Sequence, residues 1–213
     1  MQRFGYGYLP QRLEPCAHLI YQEHRLFAFT LTHVEAEIDV ARIYWSDQPM
    51  ALLNDHVDIS FVHLPIDSDD LDLAHLYASP KVALLPRRHI LAEQAEITIG
   101  ELADEPVVRY AGASADWEAW HNVDPRPDGR RPRSGPTVRN LEETVEVVAT
   151  GRAITLVPVT VTTGIQVPPE VVAVPVVDAP PTEVCLAWRA GRRSPLIREL
   201  VETARTTLST VSS

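Results

Sequence analysis

Short apolar runs alternate with amphipathic stretches along the chain, which is the pattern of an α/β protein. The clearest runs predict strands at residues 59–63, 81–85, 106–110, 153–157, 171–174 and 184–188. Two further strands, with less sharply defined edges, are predicted at residues 3–8 and 40–45. Because strands that alternate with helices are usually joined by crossover connections, we expect the sheet to be mostly parallel.

Capping residues mark three of the predicted helix starts. Thr98 precedes Glu101 by the three residues of a capping box, and Asn140 precedes two glutamates that suit the positive end of a helix. Gly151 is expected to end the helix that Asn140 begins. Ser194, followed by proline, opens the last helix. The apolar stripe of that helix consists of Ile197, Leu200, Val201, Ala204 and Leu208.

The remaining segments give weaker patterns. Asp47 is predicted to start a short helix with Pro49 in its first turn and with Met50 and Leu53 facing inward. Boundaries within residues 11–38 stay open, because Pro15 interrupts a helix-like spacing of apolar residues. Residues 124–136 are predicted to be a loop from their proline, glycine and arginine content.

The length of 213 residues allows one large or two small domains with a buried core. Nineteen basic against 29 acidic side chains give a formal charge of −10, so the chain as a whole repels nucleic-acid phosphates. We therefore interpret the arginine-rich loop as solvated rather than as a nucleic-acid site. Without an apolar leader or a membrane-spanning run, the chain is expected to be soluble and cytoplasmic.

Motifs for metal, cofactor or covalent chemistry are missing from the sequence. Cys16 and Cys185 lie far apart without a CxxC motif, and we interpret both as buried thiols of a reducing compartment. The acidic run DSDDLD at 67–72 lacks the glycine and the final glutamate of a calcium loop. No HExxH, Walker A or GxSxG frame occurs. We therefore expect no metal and no cofactor.

Three segments in order carry a family resemblance. Residues 57–110 contain an Asp-bearing strand, the turn HLP, a strand ending in LLP, a histidine and the junction LADEP. Residues 143–161 read ETVEVVATGRAITLVPVTV, and residues 184–205 form a closing strand and helix. Their order and spacing, over about half the chain, resemble the effector-binding domain of LysR-type transcriptional regulators, whereas no single motif is diagnostic.

The resemblance implies a fold like that of type 2 periplasmic binding proteins. Two Rossmann-like α/β subdomains, residues 1–79 plus 180–213 and residues 80–179, would be joined by two crossover strands with a ligand in the cleft between them. Prolines at 80, 180 and 181 would stiffen the hinges. The resemblance also implies a homodimer, no membrane contact, and DNA contact only through a helix-turn-helix that this chain does not include.

Ligands of open α/β sheets bind beyond the carboxyl ends of strands, and helix N-termini favour anions. On these rules the candidate effector-binding residues are Tyr8, Leu9, Ser46, Asp47, His63, Pro65, Arg109, Tyr110, Ala111 and Pro158. Arg109 either grips a carboxylate or points to the far side of its strand, leaving Tyr110 and the Ala111 amide to line the pocket.

Other candidates keep a structural alternative. Ser46 is either a ligand contact or a plain helix cap. His63, which stands where the family often has arginine, is either a titrating contact or a structural histidine. Trp117 and Trp120 either stack on an aromatic ligand or belong to the core.

These observations predict a small-molecule effector-binding domain of a LysR-type regulator, with an organic anion as its ligand, and not an enzyme. The alternative is a lyase or dehydratase acting on a small carboxylate on the same two-lobed scaffold. That alternative requires a positioned acid or base, and the sequence shows no acid–base pair.

Overall fold

In the computed structural model, which describes residues 2–6, 38–66, 69–162 and 167–211, the chain divides into two compact units. Unit 1 comprises Met1–Tyr77 with Glu183–Ser213, and unit 2 comprises Ala78–Thr182. Unit 2 is therefore an insertion within unit 1, and the chain passes between the units twice.

The described strands are β1 (Gln2–Tyr6), β2 (Ile38–Arg42), β3 (Ile59–His63), β4 (Leu71–Ser79), β5 (Lys81–Pro86), β6 (Pro106–Tyr110), β7 (Arg133–Val138), β8 (Thr155–Pro158), β9 (Val171–Pro175) and β10 (Thr182–Arg189). The described helices are α1 (Gln48–Leu53), α2 (Ala115–Asn122), α3 (Leu141–Ala149), α4 (Val159–Thr162) and α5 (Pro195–Val211), with a 3-10 helix at Ile99–Leu102. None of these helices combines the length and the apolar character of a membrane span.

The sheet of unit 1 has the strand order β2-β1-β3-β10-β4. β1 runs parallel to β2 and to β3, whereas β10 runs antiparallel to β3. Both faces of β3 are buried: Ile59 and Phe61 pack with α5 on one face, while Val62 packs with α1 on the other. This two-sided burial explains why the predicted strand 59–63 is an unbroken apolar run.

The sheets of unit 2 are smaller. β5 lies between β8 and β9 and is antiparallel to both, and β6 pairs parallel to β7. A parallel bridge between Val107 and Ile154 links β6 to the start of β8. Alternate residues of β5 enter different cores, Ala83 on one face and Val82 on the other.

The expectation of a mostly parallel sheet is wrong for β5 and for the pairing of β10 with β3. Their apolar runs led to that expectation. Such a run reports burial on both faces of a strand, and it carries no information about the direction of the neighbouring strand.

Local hydrogen bonds confirm the predicted helix starts. The Thr98 amide donates to Glu101 Oε2 at 2.8 Å, and the Glu143 amide donates to Asn140 Oδ1 at 2.8 Å. Gly151 follows the C-cap of α3 with φ 73°, the left-handed conformation that favours glycine. In α5 the stripe residues Ile197, Leu200, Val201 and Ala204 are buried, and the side chain of Leu208 lies outside the described residues.

Three sequence expectations need correction. Met50 is 52% exposed, because the one-and-a-half turns of α1 turn Ala51 and Leu52 to the core instead. β4 was not predicted, since only three of its nine side chains are buried at the edge of the sheet. β7 occupies the end of the predicted loop, and its side chains are likewise mostly outside the core.

Candidate functional site

In unit 1 the predicted residues follow parallel strands. Ser46 and Asp47 lie between β2 and α1, and Pro65 comes two residues after His63, the last residue of β3. Because β1, β2 and β3 are parallel, their carboxyl ends share one edge of the sheet, where ligands of open α/β sheets bind. Tyr8 and Leu9 lie outside the described residues.

The start of α1 bears on whether Ser46 is a ligand contact or a helix cap. The N-cap residue of α1 is Asp47, so Ser46 precedes the cap and is partly buried. The Asp47 carboxylate makes no capping hydrogen bond within the described chain. The N-cap position that was the structural alternative for Ser46 is therefore occupied by Asp47, whose side chain does not cap the helix. His63 is partly buried and lies opposite Val184 of β10.

In unit 2 the carboxyl ends of β6, β7 and β8 also share an edge. Tyr110 ends β6, Pro158 ends β8, and the Ala111 amide donates to the Val138 carbonyl of β7 at 2.9 Å. The Ala111 N–H is therefore used within the protein, and a ligand at this edge would have to share or displace that hydrogen bond.

Arg109 is already bound to a carboxylate of the protein. Its Nε and Nη2 donate to the two Glu118 oxygens at 2.6 and 2.7 Å, and these hydrogen bonds raise the pKa of Arg109. Glu118 also accepts from the Tyr110 amide at 3.0 Å. A bidentate fork of this kind has little capacity for a second carboxylate. The pairing favours the alternative in which Arg109 points away from the ligand.

Arg109 and Glu118 border a cavity of about 380 Å³ in unit 2. The wall also contains Asn122, Asp124 and Arg131, so it carries charges of both signs. The mixture gives the cavity no preference for an anion.

Tyr110 belongs to a cluster of three aromatic rings with Trp117 and His121, of which Trp117 is partly buried. Its ring meets Trp117 edge-on at 5.2 Å and His121 edge-on at 4.9 Å, and Trp117 stacks on His121 at 4.5 Å. Burial raises the pKa of Tyr110 well above its ordinary value. The Trp117 ring is partly buried against Tyr110 and His121, which favours its structural alternative, whereas Trp120 is exposed.

Replacing Tyr110 by phenylalanine is expected to destabilise the protein by about 1 kcal/mol, because its hydroxyl shares a buried hydrogen bond of 2.5 Å with Thr155 Oγ1. Chemical denaturation of the single variants and of the double variant Tyr110→Phe/Thr155→Val measures the coupling. We expect the double variant to lose less than the sum of the singles. Strict additivity would contradict a hydrogen bond between the two hydroxyls.

Two buried cations escaped the sequence-based prediction. Lys81 is 1% exposed, and its Nζ donates to the carbonyls of Trp120 and His121 at 2.7 and 3.0 Å. These carbonyls lie at the end of α2, where helix carbonyls lack intrahelical donors. Arg126, within the loop predicted to be solvated, is only 3% exposed. The one available signal was that Lys81 is the only lysine of the chain and begins an apolar run.

The described residues contain no cluster of side chains that could bind a metal ion. Among the described residues, no three His, Cys, Asp or Glu side chains are grouped as metal ligands. Asp72 of the acidic run accepts a hydrogen bond from the Gly191 amide at 3.1 Å. Cys185 is a buried free thiol whose pKa is raised to about 11 by burial, whereas Cys16 lies outside the described residues.

Comparison with protein families shows a match to the LysR substrate binding domain over residues 23–209. The chain belongs to this family. Among curated proteins, this LysR domain is 24% identical to the Hca operon transcriptional activator HcaR of Escherichia coli (strain K12) over 196 residues. That alignment covers 87% of the chain and 62% of HcaR, so the chain spans less than two thirds of this relative. The HTH-type transcriptional regulator AlsR of Bacillus subtilis (strain 168) is 34% identical over 84 residues, or 39% of the chain and 26% of AlsR.

Solved structures of LysR-type regulators superpose on this chain. The effector binding domain of a BenM variant superposes with a TM-score of 0.78 at 20% identity, covering 99% of this chain and 95% of that one. The BenM effector binding domain with its effector benzoate gives 0.77 at 20% identity, covering 99% of this chain and 93% of that one. CbnR, a LysR family transcriptional regulator, gives 0.72 at 15% identity, covering 97% of this chain and 69% of that one.

These matches confirm the predicted fold class, a mixed α/β domain like type 2 periplasmic binding proteins. They also confirm the predicted LysR resemblance. The two curated relatives are transcriptional regulators and not enzymes, and no comparison favours the lyase or dehydratase alternative.

Proposed function

We propose that this LysR domain binds a small organic anion and serves as the effector-sensing part of a transcriptional regulator. The observation that carries the proposal is the family match over residues 23–209. The superposition on the BenM effector binding domain, which holds benzoate, supports an aromatic carboxylate as the first ligand class to test. Homodimer formation, a cytoplasmic location, and DNA contact through a separate helix-turn-helix belong to the same proposal.

The ligand would act by shifting a conformational equilibrium. An effector changes such an equilibrium only as far as its affinities for the two states differ. We propose that residues from the carboxyl-end edge of each unit contact the effector, with hinges at residues 79–80 and 179–181. The contact residues proposed are Tyr8, Leu9, Ser46, Asp47, His63, Pro65, Tyr110, Ala111 and Pro158. For Arg109, the pairing with Glu118 supports the alternative in which it points away from the ligand.

A thermal-shift screen with aromatic and aliphatic carboxylates, benzoate among them, tests the function. We expect at least one acid to raise the melting temperature reversibly and to be recovered unchanged. Loss of a hydroxyl contact in Ser46→Ala should weaken binding of that acid by roughly five- to tenfold in calorimetric titration. Thr206→Ala, which removes an exposed hydroxyl of α5, is the matched control and should bind as the parent does.

Three results would contradict parts of this proposal. A panel in which no acid stabilises the protein argues against the anion-binding function. Turnover of the acid argues for the enzyme alternative. A large loss of affinity in Arg109→Ala contradicts the alternative in which Arg109 points away from the ligand.

A further inference from the structure

Unit 2 contains a buried guanidinium group that no hydrogen bond of the described residues satisfies. Arg126 is 3% exposed, and its Nε and both terminal nitrogens lack a hydrogen-bond partner in the described chain. The backbone around it is fixed, since the Arg126 amide donates to the Arg130 carbonyl and the Gly129 amide donates to the Arg126 carbonyl, both at 2.8 Å. Burying an unpaired charge costs free energy, and an anion bound to Arg126 would offset that cost.

A second buried cation lies within electrostatic range. Lys81 Nζ binds two carbonyls and lies 5.7 Å from the centre of the Trp120 ring. Burial, together with repulsion from Arg126, lowers the pKa of Lys81 to about 8. Two positive groups that repel each other in the interior create a field that attracts an anion.

The acidic neighbours of Arg126 do not fill this site. Asp128 binds Arg130 instead, accepting from its amide at 3.0 Å and from its Nε at 2.6 Å. Burial lowers the pKa of Arg126, whereas the negative charges of Asp124 and Asp128 raise it. Neither carboxylate accepts a hydrogen bond from Arg126 within the described chain. The donors of the Arg126 fork therefore stay available.

The position of Lys81 matches the edge where ligands bind. Lys81 pairs in register with Pro158, the last residue of β8, so it lies at the carboxyl-end edge of unit 2. Arg109 at the same edge is paired with Glu118, as described above. Arg126 is thus the unpaired buried arginine that the described part of unit 2 offers to an anion.

We propose that Arg126, with Lys81 beside it, forms the anion subsite of unit 2 and binds the carboxylate group of the effector. The planar guanidinium fork matches the two oxygens of a carboxylate. This inference rests on the proposed function for the statement that the carboxylate belongs to an effector. The subsite itself rests on the burial and the missing partners of Arg126.

Calorimetric and thermal-shift titrations with sodium formate and sodium benzoate test the subsite. Arg126→Met should weaken carboxylate binding roughly tenfold to hundredfold, because it removes charge-assisted hydrogen bonds. Arg126→Lys should bind more weakly than the parent, since it keeps the charge but loses the fork. Arg139→Met, which removes an exposed arginine of unit 2, should bind within twofold of the parent and reports the general effect of salt.

A measurement on the unaltered protein remains valid if the variants fail to fold. Because Lys81 is the only lysine, ¹³C-lysine labelling gives a single side-chain NMR signal. Formate binding beside Lys81 should raise its pKa, since a nearby anion favours the charged amine. A Lys81 signal whose titration is the same with and without saturating formate would overturn the inference.

The outcomes separate the subsite from the proposed function. If an acid of the panel binds the parent and Arg126→Met equally well, the subsite is wrong and the function stands. If no acid of the panel other than formate binds, while formate stabilises the parent and not Arg126→Met, the subsite stands and the function is wrong. If no acid of the panel, formate and benzoate included, acts on either the parent or the Lys81 signal, both proposals are wrong.

Discussion

Replacing Gly135 by alanine is expected to lower the free energy of unfolding by about 3 kcal/mol. An added Cβ would lie 2.7 Å from the Ala153 Cβ and 2.8 Å from the Val107 carbonyl oxygen. Neither neighbour is the end of a flexible side chain, so the backbone of β6 or β7 must move. The register between these strands is already irregular from Val107 to Arg109, opposite this glycine. Urea denaturation followed by circular dichroism measures the change.

The matched control is Gly100→Ala in the 3-10 helix. An added Cβ there meets only Thr98 Oγ1, at 3.8 Å, which is an ordinary contact distance. The substitution should be neutral or stabilising by up to about 1 kcal/mol, because alanine reduces the freedom of the unfolded chain. Equal denaturation midpoints for Gly135→Ala and Gly100→Ala would contradict the close approach of β7 to β6.

Raising the pH from about 8 to 10.5 is expected to stabilise the parent protein relative to Lys81→Met by about 3 kcal/mol. In the folded protein Lys81 loses its proton near pH 8, whereas in the unfolded chain it keeps the proton up to the ordinary value of 10.5. Between these values the unfolded state binds more protons, so stability rises with pH. Below about pH 8 both states hold the proton, and this contribution is constant.

Denaturation midpoints of the two proteins at several pH values, in buffer free of carboxylates, give the difference directly. Every other titratable side chain is present in both proteins, so its effect on stability cancels in the comparison. The pH at which the single lysine NMR signal of the folded protein titrates provides an independent value. A difference in stability that stays flat from pH 8 to 10.5 would show that Lys81 is not desolvated as the structure indicates.

The sequence predicted best those elements whose formation depends on local chemistry or on burial of both faces. Asn140 and Ser194 mark helix starts because a capping side chain acts on amides two or three residues away. The strands at 59–63 and 81–85 were predicted because both of their faces are buried. The order of segments also placed the chain in the LysR family, since motif spacing follows the path of the fold.

The two missed strands show the limit of such patterns. β4 at the edge of its sheet and β7 beside β6 leave many side chains in solvent, so their sequences contain charged and polar residues. Their strand conformation is set by hydrogen bonds to a neighbouring strand. Backbone pairing leaves little trace in the pattern of hydrophobic and polar positions.

Only the tertiary structure decided which charged side chains of the candidate site are paired and which are buried. Arg109 lies in an apolar strand and Arg126 in a polar loop, yet Arg109 is paired with Glu118 and Arg126 is buried without a described partner. Lys81 is buried as a hydrogen-bond donor to carbonyls at the end of α2, which lies about forty residues further along the chain. The sequence by itself determined the fold class, the helix starts and the strands with two buried faces. Which cation meets which anion depends on distances between segments far apart in the chain, and only the folded structure sets those distances.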